Sequence, residues 1–83
     1  MKVLYFSWIK DKLGKSYEEI QVSDNIKTIN DLITLLKQNN ENYKVVFKDT
    51  SSIKVSINME TASFEDSIND NDEVAFFPPM TGG

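Results

Sequence analysis

Ile29, Leu32, Ile33 and Leu36 fall at i, i+3, i+4 and i+7, an apolar stripe along one face of a helix. Leu35 widens the stripe, and Asn39-Asn40 marks where the helix fades. Thr28 reads as its N-cap, with Asp31 at the third helical position in a weaker form of the capping box. On either side of this helix the apolar residues follow the period of strands. Residues 3–9, Val3 to Ile9, are β-branched and aromatic and read as a buried strand. Asp11-Lys12-Leu13-Gly14-Lys15 is a turn signal, and Tyr17 to Val22 alternates, with Ile20 and Val22 on one face. That predicts an N-terminal hairpin. A second short helical piece covers Tyr43, Val46 and Phe47. Ile53, Val55 and Ile57 alternate with Lys54, Ser56 and Asn58, giving a half-buried strand over 53–58. Ala62 to Ile68 is a connection pinned by Phe64 and Ile68, Asp70-Asn71-Asp72 a turn, and Glu73 to Phe77 the last strand. Pro78 and Pro79 stop it, because proline cannot donate to a ladder. A hairpin, a crossing helix and a later strand pair make an α+β domain of the β-grasp, ubiquitin-like kind: a mixed sheet packed against one main helix. The expected division is a β-grasp domain over 1–77 and a C-terminal Gly-Gly tail over 78–83.

Composition removes most catalytic chemistry. The 83 residues include no His and no Cys, so there is no thiol nucleophile, no imidazole base and no nitrogen–sulfur metal site. A chain of this size hides roughly 60–65% of its unfolded surface, which leaves little room for an enclosed active site. The nine cationic residues are all lysine, and the net charge is −4. Nucleic-acid binders need clustered Lys/Arg and often Arg forks, so no nucleic acid is expected. The first apolar run is too short to span a membrane. The absence of cysteine and of a signal peptide fits a cytoplasmic protein.

The chain ends Phe76-Phe77-Pro78-Pro79-Met80-Thr81-Gly82-Gly83, and two of its three glycines are the last two residues. Glycine lets backbone approach another group closely, and Pro-Pro favours a stiff, extended conformation. Six extended residues reach at most about 20 Å. This tail can therefore thread a narrow channel and present the Gly83 carboxylate to another protein's active site. A carboxylate is a poor acyl donor, but adenylation by ATP supplies a leaving group that sulfur can replace. No phosphate-cradling glycine loop is present, so the activating enzyme is a separate protein. Phe76 and Phe77 point to opposite sides of the last strand; one is expected in the core and the other on an exposed face beside the tail, as an interface anchor.

The acidic residues Glu65, Asp66, Asp70, Asp72 and Glu73 resemble a calcium loop, but Ile68 occupies a ligand position and the turn glycine is missing. They read as a solvated turn, with no metal expected. Trp8 reads as core edge; with Lys10 beside it, it is also placed to flank a partner surface.

Met1-Lys2-Val3-Leu4-Tyr5-Phe6 with the Lys10 to Gly14 turn, Val55-Ser56-Ile57-Asn58, and above all Asp72-Glu73-Val74-Ala75-Phe76-Phe77-Pro78-Pro79-Met80-Thr81-Gly82-Gly83 resemble the MoaD-type sulfur carriers, the small subunits of molybdopterin synthase. The resemblance implies that Gly83 is adenylated by an adenylyltransferase resembling ubiquitin-activating enzymes, using ATP, and converted to a thiocarboxylate. No cofactor is bound by the carrier itself. It implies that the tail enters the large subunit of molybdopterin synthase and gives its sulfur to cyclic pyranopterin monophosphate. Two such transfers build the dithiolene of molybdopterin. The pterin-binding and catalytic side chains lie on the large subunit, in a heterotetramer with a central large-subunit dimer. Gly82 and Gly83 are then the reacting end, and Phe77, Pro78, Pro79, Met80 and Thr81 the partner-binding segment. The family often has Arg where this chain has Lys10, and Gly where it has Asn71. Three other readings share parts of this pattern: a sulfur carrier for thiazole synthesis or tRNA thiolation, a ubiquitin-like modifier joined through Gly83 to lysine, and an interaction domain with an inert tail.

Overall fold

The computed structural model describes residues 1–79. Its elements are β1 (Lys2–Tyr5), α1 (Ser7–Leu13), β2 (Tyr17–Glu19), α2 (Ile29–Asn39), α3 (Glu41–Val46), β3 (Lys54–Ile57), β4 (Glu60–Ala62) and β5 (Glu73–Phe77), with a 3₁₀ turn at Thr50–Ser52. The sheet order is β2-β1-β5-β3-β4. The central pair β1 and β5 is parallel, while β1–β2, β3–β5 and β3–β4 are antiparallel. This is the mixed sheet with packed helices of a β-grasp.

Alternation decides which sheet face is covered. Val3, Tyr5, Val55, Val74 and Phe76 are all at most 1% exposed and belong to one cluster with Ile29, Leu32, Ile33 and Leu36 of α2 and Tyr43, Val46 and Phe47 around α3. The predicted helix stripe is thus the set that closes the core. The capping box forms in full: Asp31 N–H donates to Thr28 Oγ1 at 3.2 Å, and Thr28 N–H donates to Asp31 Oδ2 at 3.1 Å. The N–H groups of Lys27 and Thr28 hold the Asp31 carboxyl below its ordinary range. Ile68 is buried in the core, and Phe64 packs against it.

Two stretches differ from expectation. Residues 3–9 are not one strand. β1 ends at Tyr5, and Ser7–Leu13 is a helix where a turn was expected. Ile9 and Leu13, four residues apart, are the buried face of α1, so helical period operates inside a run whose composition favours a strand. Gly14 ends α1 with φ 74° and donates its N–H to Lys10 O at 2.9 Å. It is a left-handed helix stop rather than a hairpin-turn residue, and the β1–β2 pair is joined across a helix. Trp8 rides on α1 at 39% exposure. The second difference is β4. Residues 60–62 pair with β3 through a tight turn at Asn58-Met59, so the connection expected from Ala62 begins as a strand edge. Glu and Ala are depleted in strands, which hides it. Asn71 needs no positive φ: among the described residues only Ser7, Asn58, Met59 and Gly14 have one.

A polar network ties β1, β2 and α3 together. The hydroxyls of Tyr5 and Tyr43 both donate to Glu18 Oε2, at 2.6 and 2.5 Å, and Lys15 Nζ lies 3.5 Å from Glu18 Oε1. Burial, then the Glu18 carboxylate, raises both tyrosine pKa values above their ordinary value of 10.0. The Tyr43 hydroxyl, with Glu18 adding to it, raises Lys15 against the opposing effect of burial. All three groups keep their protons longer in the folded state than in the unfolded one. Their contribution to stability is therefore complete below pH about 10 and falls as pH rises above it, because the unfolded chain loses protons first. The expected result is a melting temperature that is flat from pH about 7 to 9, drops above about 10, and drops less steeply in Tyr5→Phe. An equal alkaline slope in wild type and variant would count against this account.

Candidate functional site: the open sheet face and the exit of the tail

Among the described residues the buried side chains of all three helices join the core on one face of the sheet, and the opposite face carries an open groove. Leu4 of β1 lies beside Ala75 of β5, and Ala75 lies beside Ser56 of β3, so these three side chains cross the sheet in one row. They floor a groove of about 360 Å³, walled by Phe6, Met59 and Phe77 and edged by Glu73. Phe6 is 48% exposed and Met59 89% exposed. Isolated exposed apolar residues are ordinary, but several gathered around one groove mark an interaction surface.

The two adjacent phenylalanines separate as the strand period requires. Phe76 is fully buried, stacked on Tyr5 with ring centroids 6.2 Å apart and meeting Phe47 edge-on at 5.0 Å. Phe77 is half-buried and lines the groove, and Pro78 and Pro79 follow it off the end of β5, also half-buried. Met80, Thr81, Gly82 and Gly83 lie outside the described residues. The groove therefore borders the point where the chain leaves its central parallel strand pair toward those four residues.

Sequence reasoning found Phe77 and missed its companions. Leu4 and Phe6 were swept into one buried strand, although the Val3/Tyr5 alternation puts them on the other face. Met59 was lost because Asn-Met is a weak hairpin signal beside Asn-Gly. Trp8 and Lys10, which the sequence places to flank a partner surface, lie on α1 and do not line the groove. The acidic stretch is spent on turns. Asp66 accepts from Ser63 N–H at 2.9 Å, while Asp72 accepts from Asn69 N–H at 2.8 Å and from Asn58 Nδ2 at 2.9 Å. Among the described residues no cluster of acidic groups is arranged to hold a metal ion, and no helix is long and apolar enough to cross a membrane. Among the described residues the groove is a mainly apolar recognition face, with Ser56 and Glu73 as its polar members.

Comparison with known proteins places the chain in a family. The chain is 30% identical over 83 residues to the molybdopterin synthase sulfur carrier subunit of Escherichia coli, covering 100% of this chain and 99% of that one. SAMP1 from Haloferax volcanii superposes with a TM-score of 0.79 at 27% identity, covering 100% of this chain and 98% of its own. A fold neighbour from Helicobacter pylori, at 20% identity and a TM-score of 0.65, was solved as a complex of subunits 1 and 2 of molybdopterin-converting factor; it covers 99% of this chain and 96% of its own. The ThiS family profile matches residues 3–83. With a family match over nearly its whole length and an end-to-end relative among the sulfur carriers, the chain belongs to the ThiS family.

Proposed function

We propose that this protein is the sulfur carrier subunit of a molybdopterin synthase. The observation that carries the reading is the Phe77-to-Gly83 segment, which leaves the central strand beside an open apolar groove and ends in Gly82-Gly83. The match to a sulfur carrier subunit, covering 100% of this chain and 99% of that one, supports it. The Gly83 carboxylate attacks the α-phosphorus of ATP in the active site of an adenylyltransferase, and pyrophosphate leaves. A hydrosulfide-level sulfur nucleophile then forms the C–S bond as the bond to AMP breaks, giving a C-terminal thiocarboxylate. Glycines at 82 and 83 put no side chain beside the acyl carbon, so it can enter a narrow active site. ATP is a substrate of the partner, and the carrier holds no cofactor. Docked through the groove face, with Phe77, Pro78, Pro79, Met80 and Thr81 leading into the large subunit, the thiocarboxylate gives its sulfur to a pterin precursor, and hydrolysis restores the carboxylate. One carrier at each end of a large-subunit dimer, in the cytoplasm, completes the proposal.

The test is intact mass spectrometry after coexpression with the adenylyltransferase and a sulfurtransferase. The expected result is a mass gain equal to replacing one oxygen by sulfur, absent from a Gly83 deletion. An unchanged mass, with the same partners active on an established carrier, would overturn the reading.

A further inference from the structure

Each of the three non-glycine residues with positive φ among those described either lines the apolar groove, as Met59 does, or adjoins in sequence a residue that lines it. Ser7 (φ 58°) turns the chain just after Phe6, and Asn58 (φ 52°) and Met59 (φ 73°) form the β3–β4 turn. Asn tolerates the left-handed region, and an unbranched residue such as Met does so at a cost that surrounding structure must offset. At Met59 the offsetting structure is visible. Asn58 N–H donates to Glu73 O at 2.8 Å, Glu73 N–H donates to Asn58 Oδ1 at 3.0 Å, and Asn58 Nδ2 donates to Asp72 Oδ1 at 2.9 Å. Three hydrogen bonds thus pin the hairpin tip to the start of β5. What they hold in place is a Met side chain that is 89% exposed and touches little of its own protein. A glycine would make this turn without strain, as Asn-Gly hairpins do. The folded domain alone has no evident use for methionine here.

We propose that Met59 is an anchor of the docking face, inserting its thioether into an apolar socket on the large subunit, and that Asn58 is its positioning residue. This rests on the sulfur-carrier reading, and the location of the groove identifies the occupant. Phe77 forms one wall and lies only six residues before Gly83, a span of at most about 20 Å. A protein that takes the acyl end into its active site must therefore stand close against this face, with Met59 at its opposite rim. A flexible, polarizable side chain suits such a socket, and a rim fixed beforehand lowers the ordering cost of docking.

The test uses the full-length protein and its cognate large subunit, with affinity by calorimetry and melting temperature measured in parallel. Met59→Gly relieves the strain and removes the anchor, so it should melt no lower than wild type yet bind at least tenfold more weakly. Met59→Leu should bind within about threefold of wild type, since it keeps an apolar side chain of similar volume. Asn58→Gly, which permits the turn and keeps the backbone bond but removes the two side-chain bonds of the clamp, should weaken binding in wild type and have no further effect in a Met59→Gly background, because it acts only through Met59. Phe77→Ala serves as an independent probe of the face. If Met59→Gly binds like wild type while Phe77→Ala is weakened, the face is right and the Met59 anchor is overturned. If the wild-type protein does not bind the large subunit, the sulfur-carrier reading itself fails and takes this occupant with it.

Discussion

Deleting Gly83 should reduce molybdopterin formation to background while leaving the melting temperature within about 1 °C of wild type. The two halves of this expectation have separate causes. Every buried core residue among those described lies between Met1 and Phe76, so removing a residue seven positions later costs the core nothing. The acyl carbon, by contrast, moves back by one residue, about 3.5 Å. Reactions between held groups demand near-attack distances of about 3–3.5 Å, and a displacement of about 1 Å already costs on the order of 100-fold. Adenylation and sulfur transfer should therefore both fail. A bulky residue at Gly82 should give a milder version, with the carboxylate in register but a Cβ added where the partner's channel closes around the chain. Assays of molybdopterin production with purified large subunit, beside thermal melts, check both variants. Full activity of the deletion would mean that Gly83 is not the sulfur-bearing residue.

How much of this was readable beforehand depended on which signals were local. The α2 stripe and its capping box were legible because both are written within a dozen residues, Thr28 to Asn39, and tertiary contacts reinforce them. β5 was legible because Pro78 ends it and its alternation is clean. The helix α1 was not, because its evidence is two buried residues, Ile9 and Leu13, and one glycine, overlaid on a strand-like run. What decides the matter is that Tyr5 completes the parallel ladder against Phe76, after which Phe6 and Ser7 turn the chain away. That is a long-range pairing no window of neighbours contains. The β4 edge was hidden for a similar reason: Glu60-Thr61-Ala62 has little preference of its own and is a strand because β3 lies next to it. The consequence for function is specific. The sequence points to the tail proposed to react, but the groove beside it is assembled from β1, β3, β5 and the turns at Phe6 and Met59, whose residues are adjacent only after folding. Phe77 ends β5 directly before the tail and also lines the groove, which is why the sequence marks it as an interface anchor while its apolar groove companions go unmarked.

Truncating the two neighbouring phenylalanines should give opposite failures. Phe76→Ala removes a ring that is fully buried between Tyr5 and Phe47. Large-to-small changes of this kind cost about 3–5 kcal/mol, the lost transfer energy plus the cavity left behind. Domains of this size stand near the lower end of the usual range of about 5–15 kcal/mol, so most of the stability goes. At about 4–8 °C per kcal/mol, the melting temperature should fall by at least about 12 °C. Any loss of partner binding would then follow from unfolding. Phe77→Ala removes a half-buried ring on the other side of the same strand, where it fills no closed core. Its melting temperature should shift by only a few degrees, roughly what an effect under about 1 kcal/mol produces. Its cost should appear at the interface. Aromatic anchors at the centre of a docking face are worth about 2 kcal/mol or more on truncation, a loss of roughly 30-fold in affinity for the large subunit. Melts and binding isotherms on the two single variants decide the matter. If Phe77→Ala melts as low as Phe76→Ala, both rings serve the core and the open face loses its wall; if it melts normally and binds normally, the groove is not where the partner sits.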